Sequence, residues 1–188
     1  MLARLDPQII AQAADAFPAG EGWKVLRWRD LRGRRSMQWK PWAHLHAVGG
    51  LYGVFIPERY FSQERVIDLH ISPLKGQHRT VAFAFTPKCF SIDGQDYSLV
   101  YVGRTAGLLH RLKMHFRLHR RNVGGQIKHG LLDARICDSL PQASELVESE
   151  ALVVVYTMSG QDNTVNRDIC EVTLLSRHHP PFNIKAEH

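Results

Sequence analysis

Cysteine is scarce in this 188-residue chain: Cys89, Cys137 and Cys170 are widely spaced, odd in number and form no CxxC pair. That pattern excludes a disulfide framework or a Cys-rich zinc site and fits a reducing, cytoplasmic setting. Long hydrophobic runs are missing too. The longest, Ala151 to Met158, has about eight residues, whereas a membrane-spanning helix needs about 20. The N-terminal MLARLDPQII has no extended apolar stretch, so no secretory signal is expected. No internal repeat or low-complexity tract is present. With 44% apolar and 22% charged residues the chain has ordinary globular usage, which excludes global disorder. A chain of this length buries roughly two-thirds of its unfolded surface, enough to fold without disulfides or metal. One domain, or one domain with an appendage, is expected.

The net charge of +6 is unevenly spread. Trp23 to Lys40 holds seven Lys/Arg and one Asp, and Arg104 to Lys128 holds seven Lys/Arg and no acid. The remainder is acidic, with ten basic and seventeen acidic residues. Two concentrated basic segments on an otherwise acidic chain are the footprint of a polyanion binder, although a solvated basic face carries the same composition. The first segment also contains Trp23, Trp28, Trp39 and Trp42, set among arginines. Such a mixture suits stacking and phosphate contact, while any one tryptophan is more often a packing residue.

Local patterns give a mixed α and β chain. Asp6-Pro7 reads as an N-cap with proline at the first helical position, and Ile9, Ile10, Ala13, Ala14 and Phe17 continue a helix over about 7–17. LYGVFI at 51–56, TVAFAF at 80–85, SLVYVG at 98–103 and ALVVVYTM at 151–158 have strand character. The polar stretch 57–78 admits no firm assignment. After Gly103 the period changes: Leu109, Leu112 and Phe116 form a helical stripe, and Thr105 caps a helix over about 106–120. A short helix is expected near Leu131, Leu132 and Ile136. Ser159 to Asn163 reads as a loop, and a last helix over 168–177 ends at Pro180-Pro181.

Several residues are suited to chemistry. Arg111 and His115, four apart, share a helix face; a guanidinium can clamp a phosphate beside an imidazole that takes a proton near neutral pH. An exposed Arg–His pair on a basic helix is also common without any function. Glu171 lies in the apolar ICEVTLL, where a buried carboxylate needs a positive partner. Arg167, at i−4, and a divalent metal are equal candidates. Asn183 follows Pro180-Pro181-Phe182 and by itself reads as a turn residue.

Taken together these pieces resemble the GIY-YIG nuclease family. YVG at 101–103 stands for YIG, and GRTAGLLHRLKMHF places Arg111 and His115 eight and twelve residues after Gly103. RDICEVTLLSRHHPPFN is similar to the family's glutamate helix running into P-x-[YF]-N, with Glu171 and Asn183 in those positions. The first half-motif reads GLY at 50–52; a second register, GVF at 53–55, lacks the tyrosine hydroxyl, and GLY is preferred because it retains Tyr52. The resemblance covers about 49–185. It implies an α/β (α+β) sandwich: a central, mainly antiparallel three-stranded sheet flanked by helices. Residues 57–97 are then an insertion between the first two strands, and 1–48 a basic, Trp-rich extension for DNA contact.

The resemblance also implies a divalent-metal-dependent DNA endonuclease. Tyr52, Tyr101, Arg111, His115, Glu171 and Asn183 would form the catalytic set, with Glu171 holding Mg²⁺ or Mn²⁺. Arg27, Arg29, Arg32, Arg34, Arg35, Arg104, Lys113, Arg117, Arg120 and Arg121 are the candidate nucleic-acid contacts. The chain ends five residues beyond Asn183, so further DNA-binding modules are not expected, and a compact, sequence-specific, restriction-like enzyme on double-stranded DNA fits best. Cutting both strands makes a homodimer plausible on geometric grounds. Two rivals stand beside this reading. One is a non-catalytic nucleic-acid-binding protein of the same fold. The other is a zinc protein using His110, His115 and His119, disfavoured because no fourth ligand lies at a recognised spacing.

Overall fold

The structure is a computed structural model that describes residues 5–27, 44–61, 64–74, 77–116 and 125–183, with 68–74, 77–81 and 162 described by backbone alone. In chain order the elements are α1 (Pro7–Asp15), β1 (Trp23–Arg27), β2 (Gly50–Pro57), β3 (Arg65–Leu74), β4 (Gln77–Phe85), β5 (Cys89–Ile92), β6 (Gln95–Thr105), α2 (Leu108–Phe116), α3 (Gln126–Asp133), α4 (Leu140–Glu150), β7 (Leu152–Thr157) and α5 (Thr164–His178). Short 3₁₀ turns lie at Glu58–Tyr60, Gln161–Asn163 and Pro181–Asn183. The class is α+β.

The main sheet has five strands, not the three expected, in the order β1-β7-β2-β6-β5, and every pairing is antiparallel. Its middle is β7-β2-β6; β1 and β5 extend it on either side. Both additions come from regions with weak local signals, where hydrogen bonding to an existing strand decides the conformation. Within the described N-terminal residues, α1 and β1 are therefore built into the core. Asp6 caps α1 by accepting from the Gln8 and Ile9 N–H groups, α1 packs on α5, and Trp23 is buried with its Nε1–H donated to the Ala13 carbonyl at 2.9 Å. Trp28, Trp39 and Trp42 lie outside the described residues.

Every residue of β2 is buried, because this strand runs through the centre of the sheet with helices over both faces. One face carries Tyr52, Val54 and Ile56 against Leu109, Leu112 and Phe116 of α2, Ile127 and Leu131 of α3, and Val147 of α4. The other carries Leu51 and Phe55 against Phe17, Cys170 and Leu174, the last two from α5. The register between β2 and β6 shifts between Val54, opposite Tyr101, and Phe55, opposite Leu99. Val100 is the extra residue of this bulge, so Val100 and Tyr101 both belong to the α2 side of the core. A bulge re-aims a side chain in this way, and here it puts Tyr101 on the face that holds Tyr52.

The segment between β2 and β6 does more than form a loop. β3 and β4 make a separate two-stranded antiparallel ribbon, anchored by the buried Ile67 and Phe85, and β5 pairs with β6. The remaining helices differ from expectation in extent: α1 stops at Asp15, α2 begins at Leu108, α3 begins at Gln126 and α5 begins at Thr164. Thr105 accepts from the Gly107 N–H at 3.1 Å and so shapes the turn before α2 rather than its first residue. Among the described residues no helix is long and apolar enough to cross a membrane.

Candidate active site

Tyr52, Tyr101 and His115 meet inside the α2-side core. The Tyr52 hydroxyl lies 2.6 Å from His115 Nε2, and the Tyr101 ring centroid is 5.8 Å from that of Tyr52 and 5.0 Å from that of His115. All three side chains are buried. His115 thus turns inward and is buried, whereas Arg111, four residues earlier on α2, is half-buried. Its ring is accommodated because the one polar atom facing Tyr52 is hydrogen-bonded. Phe55, the residue of the alternative register, packs against Phe17 and Phe90 on the opposite side of the sheet.

Gly103 makes the meeting possible. It faces Tyr52 across the β2–β6 ladder, and a Cβ there would lie 2.5 Å from the Tyr52 hydroxyl and 2.8 Å from the Tyr101 ring. The hydroxyl occupies the space that a side chain would take. Gly50 has a similar constraint, since a Cβ at that position would run into the Tyr156 carbonyl.

The electrostatics of the group hold it in one protonation state. Burial drives the Tyr52 pKa well above the ordinary value of about 10, assisted by Tyr101 and opposed by Arg111. Burial also raises Tyr101, against hydrogen bonding from Tyr52 and the charge of Arg111, while the Glu171 carboxylate adds a smaller upward push. Burial and the nearby Arg111 charge together bring His115 down to about 4. Burial works to lower Arg111, but the two tyrosines outweigh it and its pKa is raised. At neutral pH the cluster is therefore two phenols, a neutral imidazole and a guanidinium facing both hydroxyls. A neutral imidazole beside a protonated phenol is consistent with the Tyr52 O–H donating to Nε2, with the ring proton on Nδ1.

Asn183 is held at the edge of the same strand. Its Oδ1 accepts from the Val102 N–H at 2.8 Å and its Nδ2 donates to the Val102 carbonyl at 2.6 Å. β5 pairs with β6 as far as Ser98, with one more bond from the Leu99 N–H to the Lys88 carbonyl, so at Val102 the Asn183 amide takes the place of a further strand. The chain reaches this point because α5 ends in His179 at φ 46, whose N–H bonds to the Leu175 carbonyl, and Pro180-Pro181 then starts the 3₁₀ turn.

Glu171 finds a different partner from the one suggested by helix spacing. Arg167 is buried and donates to the carbonyls of Met158 and Gly160 and to the Thr164 hydroxyl. Arg104 meets Glu171 instead, with Nε 2.9 Å from Oε2, and the same Nε lies 3.0 Å from Oδ1 of Asp168. Asp168 was not among the expected site residues; its position three before Glu171 on one helix face is the signal that could have shown it. Two carboxylates are hard oxygen donors of the kind that hold Mg²⁺ while it keeps most of its water, so this donor set fits such a cation once Arg104 moves. Among the described residues no three His, Cys, Asp or Glu side chains are grouped so that they could hold a metal ion together.

The other candidates are scattered. Arg27 lies at the end of β1 and pairs with Asp93 at 2.9 Å. Lys113 is half-buried on α2, and His110 is exposed. Arg29, Arg32, Arg34, Arg35, Arg117, Arg120, Arg121 and His119 lie outside the described residues. No family model matches this chain, and neither does any curated protein or solved structure.

Proposed function

We propose that this chain is a GIY-YIG-type, divalent-metal-dependent DNA endonuclease, restriction-like and sequence-specific, acting on double-stranded DNA in the cytoplasm as a homodimer. One observation carries the reading: the Tyr52 hydroxyl is hydrogen-bonded to a neutral His115, with Arg111 facing both tyrosine hydroxyls. Further support comes from the order β7-β2-β6, which brings YVG beside GLY, and from the Glu171 charge that reaches Tyr101.

In this reading Arg111 binds the scissile phosphate and offsets the charge that develops in the transition state. Water attacks phosphorus as the P–O3′ bond breaks; the proton of the water passes to the Tyr52 oxygen, the phenolic proton passes to His115 Nε2, and the departing 3′ oxygen takes a proton from solvent. Such a relay never requires a free phenolate, which the strongly raised Tyr52 pKa disfavours. Burial is the first cause of the low His115 pKa and the Arg111 charge the second, so a phosphate paired with Arg111 removes the second cause and makes the imidazole a better acceptor. Asn183 keeps the β6 backbone between Tyr101 and Gly103 in register. Glu171 would hold Mg²⁺ or Mn²⁺, which when bound supplies Lewis-acid stabilisation of the leaving 3′ oxygen.

Cleavage of supercoiled plasmid and genomic DNA at low salt with Mg²⁺, beside Glu171→Ala and an EDTA control, tests the proposal. Discrete fragments that vanish in both controls are expected. DNA binding should weaken on the order of 10³-fold from 50 to 200 mM salt if roughly six phosphates are contacted. The Arg104–Glu171 ion pair favours a second reading, a non-catalytic DNA-binding protein whose carboxylate is already neutralised. Binding without cleavage, unchanged in Glu171→Ala, would establish that alternative.

A further inference from the structure

We infer that Arg104 is the built-in counter-cation of an Asp168–Glu171 carboxylate pair, that a divalent cation displaces it, and that the freed guanidinium turns to a DNA phosphate. The inference rests on the proposed nuclease reading and adds two residues to it. Asp168 becomes a second oxygen donor, and Arg104 becomes a positioning residue that exchanges partners.

Arg104 Nε lies 3.0 Å from Asp168 Oδ1 and 2.9 Å from Glu171 Oε2, and the buried Asp168 Oδ1 accepts no hydrogen bond among the described residues. Asp168 and Glu171 sit three apart on α5, so they share a face, and two carboxylates this close repel unless a cation stands between them. Arg104 meets the two carboxylates through one nitrogen, whereas a divalent ion can take an oxygen from each. The Arg167 charge also acts on Asp168, but its Nη groups are donated to Met158, Gly160 and Thr164.

Arg104 is also free to leave. It follows Gly103 near the end of β6, and its side chain and that of Asp168 are each 42% exposed, against 19% for Glu171. Water can therefore take over the guanidinium as it swings out, while Glu171 stays anchored. A planar guanidinium matches a phosphate as well as a carboxylate. The exchange would also tie substrate to cofactor: without the cation, Arg104 is held by carboxylates and the site offers less positive charge to DNA.

Mn²⁺ binding to the full-length protein in the absence of DNA, followed by electron paramagnetic resonance and calorimetry at pH 7.5, tests this directly. Arg104→Gln removes the competing charge and is expected to bind Mn²⁺ about tenfold tighter than wild type, an effect limited by solvent screening. Arg104→Lys keeps the charge and should bind close to wild type, while Asp168→Asn should bind more weakly and Glu171→Gln not at all. Thermal melts establish that each variant is folded. Unchanged or weaker binding in folded Arg104→Gln, with Glu171→Gln still abolishing it, would overturn the role of Arg104 and leave the nuclease reading standing. Absence of Mn²⁺ binding in wild type and Arg104→Gln alike, at millimolar metal, would overturn the carboxylate site and the metal-dependent reading with it.

Discussion

The Tyr52 hydroxyl and His115 Nε2 lie 2.6 Å apart in a buried setting, joined across 63 residues of sequence. β2 supplies the phenol, α2 supplies the imidazole, and the missing side chain of Gly103 leaves room for the hydroxyl between the strands. A protonated phenol against a neutral imidazole is the resting form of the relay proposed above, and its properties follow from the burial of both groups.

Tyr52→Phe removes the hydroxyl while keeping the ring. Cleavage by the variant is expected to fall about 10²–10⁴-fold, as when a general base is lost. Stability should drop by about 1–3 kcal/mol, because His115 is left with a buried, unpaired nitrogen. Turnover assays and urea denaturation on the same preparation separate the two effects. Wild-type turnover in Tyr52→Phe would remove Tyr52 from the mechanism.

His115 and His178 both have folded-state pKa values of about 4, below the ordinary 6.5. For His178 burial is again the main cause, followed by Lys88, Arg177 and His179; its ring packs 5.1 Å from Phe17 and 5.4 Å from Phe90. Between pH 6.5 and 4 the unfolded chain binds protons at these positions that the folded chain does not. Stability is therefore complete above about pH 6.5 and declines as the pH falls toward 4, by up to about 1.4 kcal/mol per pH unit for His115. Denaturation midpoints from pH 7.5 to 4.5 should show this decline, and it should be shallower in His115→Gln.

Gly103→Ala would press a methyl against the Tyr52 hydroxyl, 2.5 Å away. Overpacking of this kind costs about 1–3 kcal/mol, and it should displace Tyr52 from His115 and depress cleavage as well. Gly107→Ala is the control, since the nearest atom to a Cβ there is His110 Cβ at 3.9 Å. Equal stability and activity in the two variants would show that the close approach at Gly103 is not needed.

Asn183→Asp keeps an acceptor for the Val102 N–H but loses the donor to the Val102 carbonyl, and Asn183→Ala loses both. Each lost, partly buried bond costs about 1 kcal/mol, and in Asn183→Asp a carboxylate oxygen also faces the Val102 carbonyl, so both variants should be less stable than wild type. Hydrogen exchange at the Val102 amide should be faster in Asn183→Ala than in wild type. Unchanged protection in Asn183→Ala would show that another group satisfies that edge.

Much of the chain's local structure was legible in its sequence, because periodicity and caps act over a few residues. Asp6-Pro7 began α1, the continuous apolar runs of β2 and β7 marked strands buried on both faces, and Leu109, Leu112 and Phe116 marked the inner side of α2. Spacing also singled out Arg111 and His115, and the family resemblance added Tyr52 and Tyr101; the fold brings the four together. Other relationships depended on groups distant in sequence. β1 and β5 became strands by pairing with β7 and β6, and Val100 entered a bulge that turned Tyr101 toward Tyr52. Helix spacing offered Arg167 to Glu171, but the carbonyls of Met158 and Gly160 took that guanidinium, and Arg104 arrived from β6. Local spacing states which side chains share a face. Which of several possible partners a buried polar group takes is decided by the competition among all the donors and acceptors that tertiary packing brings within reach.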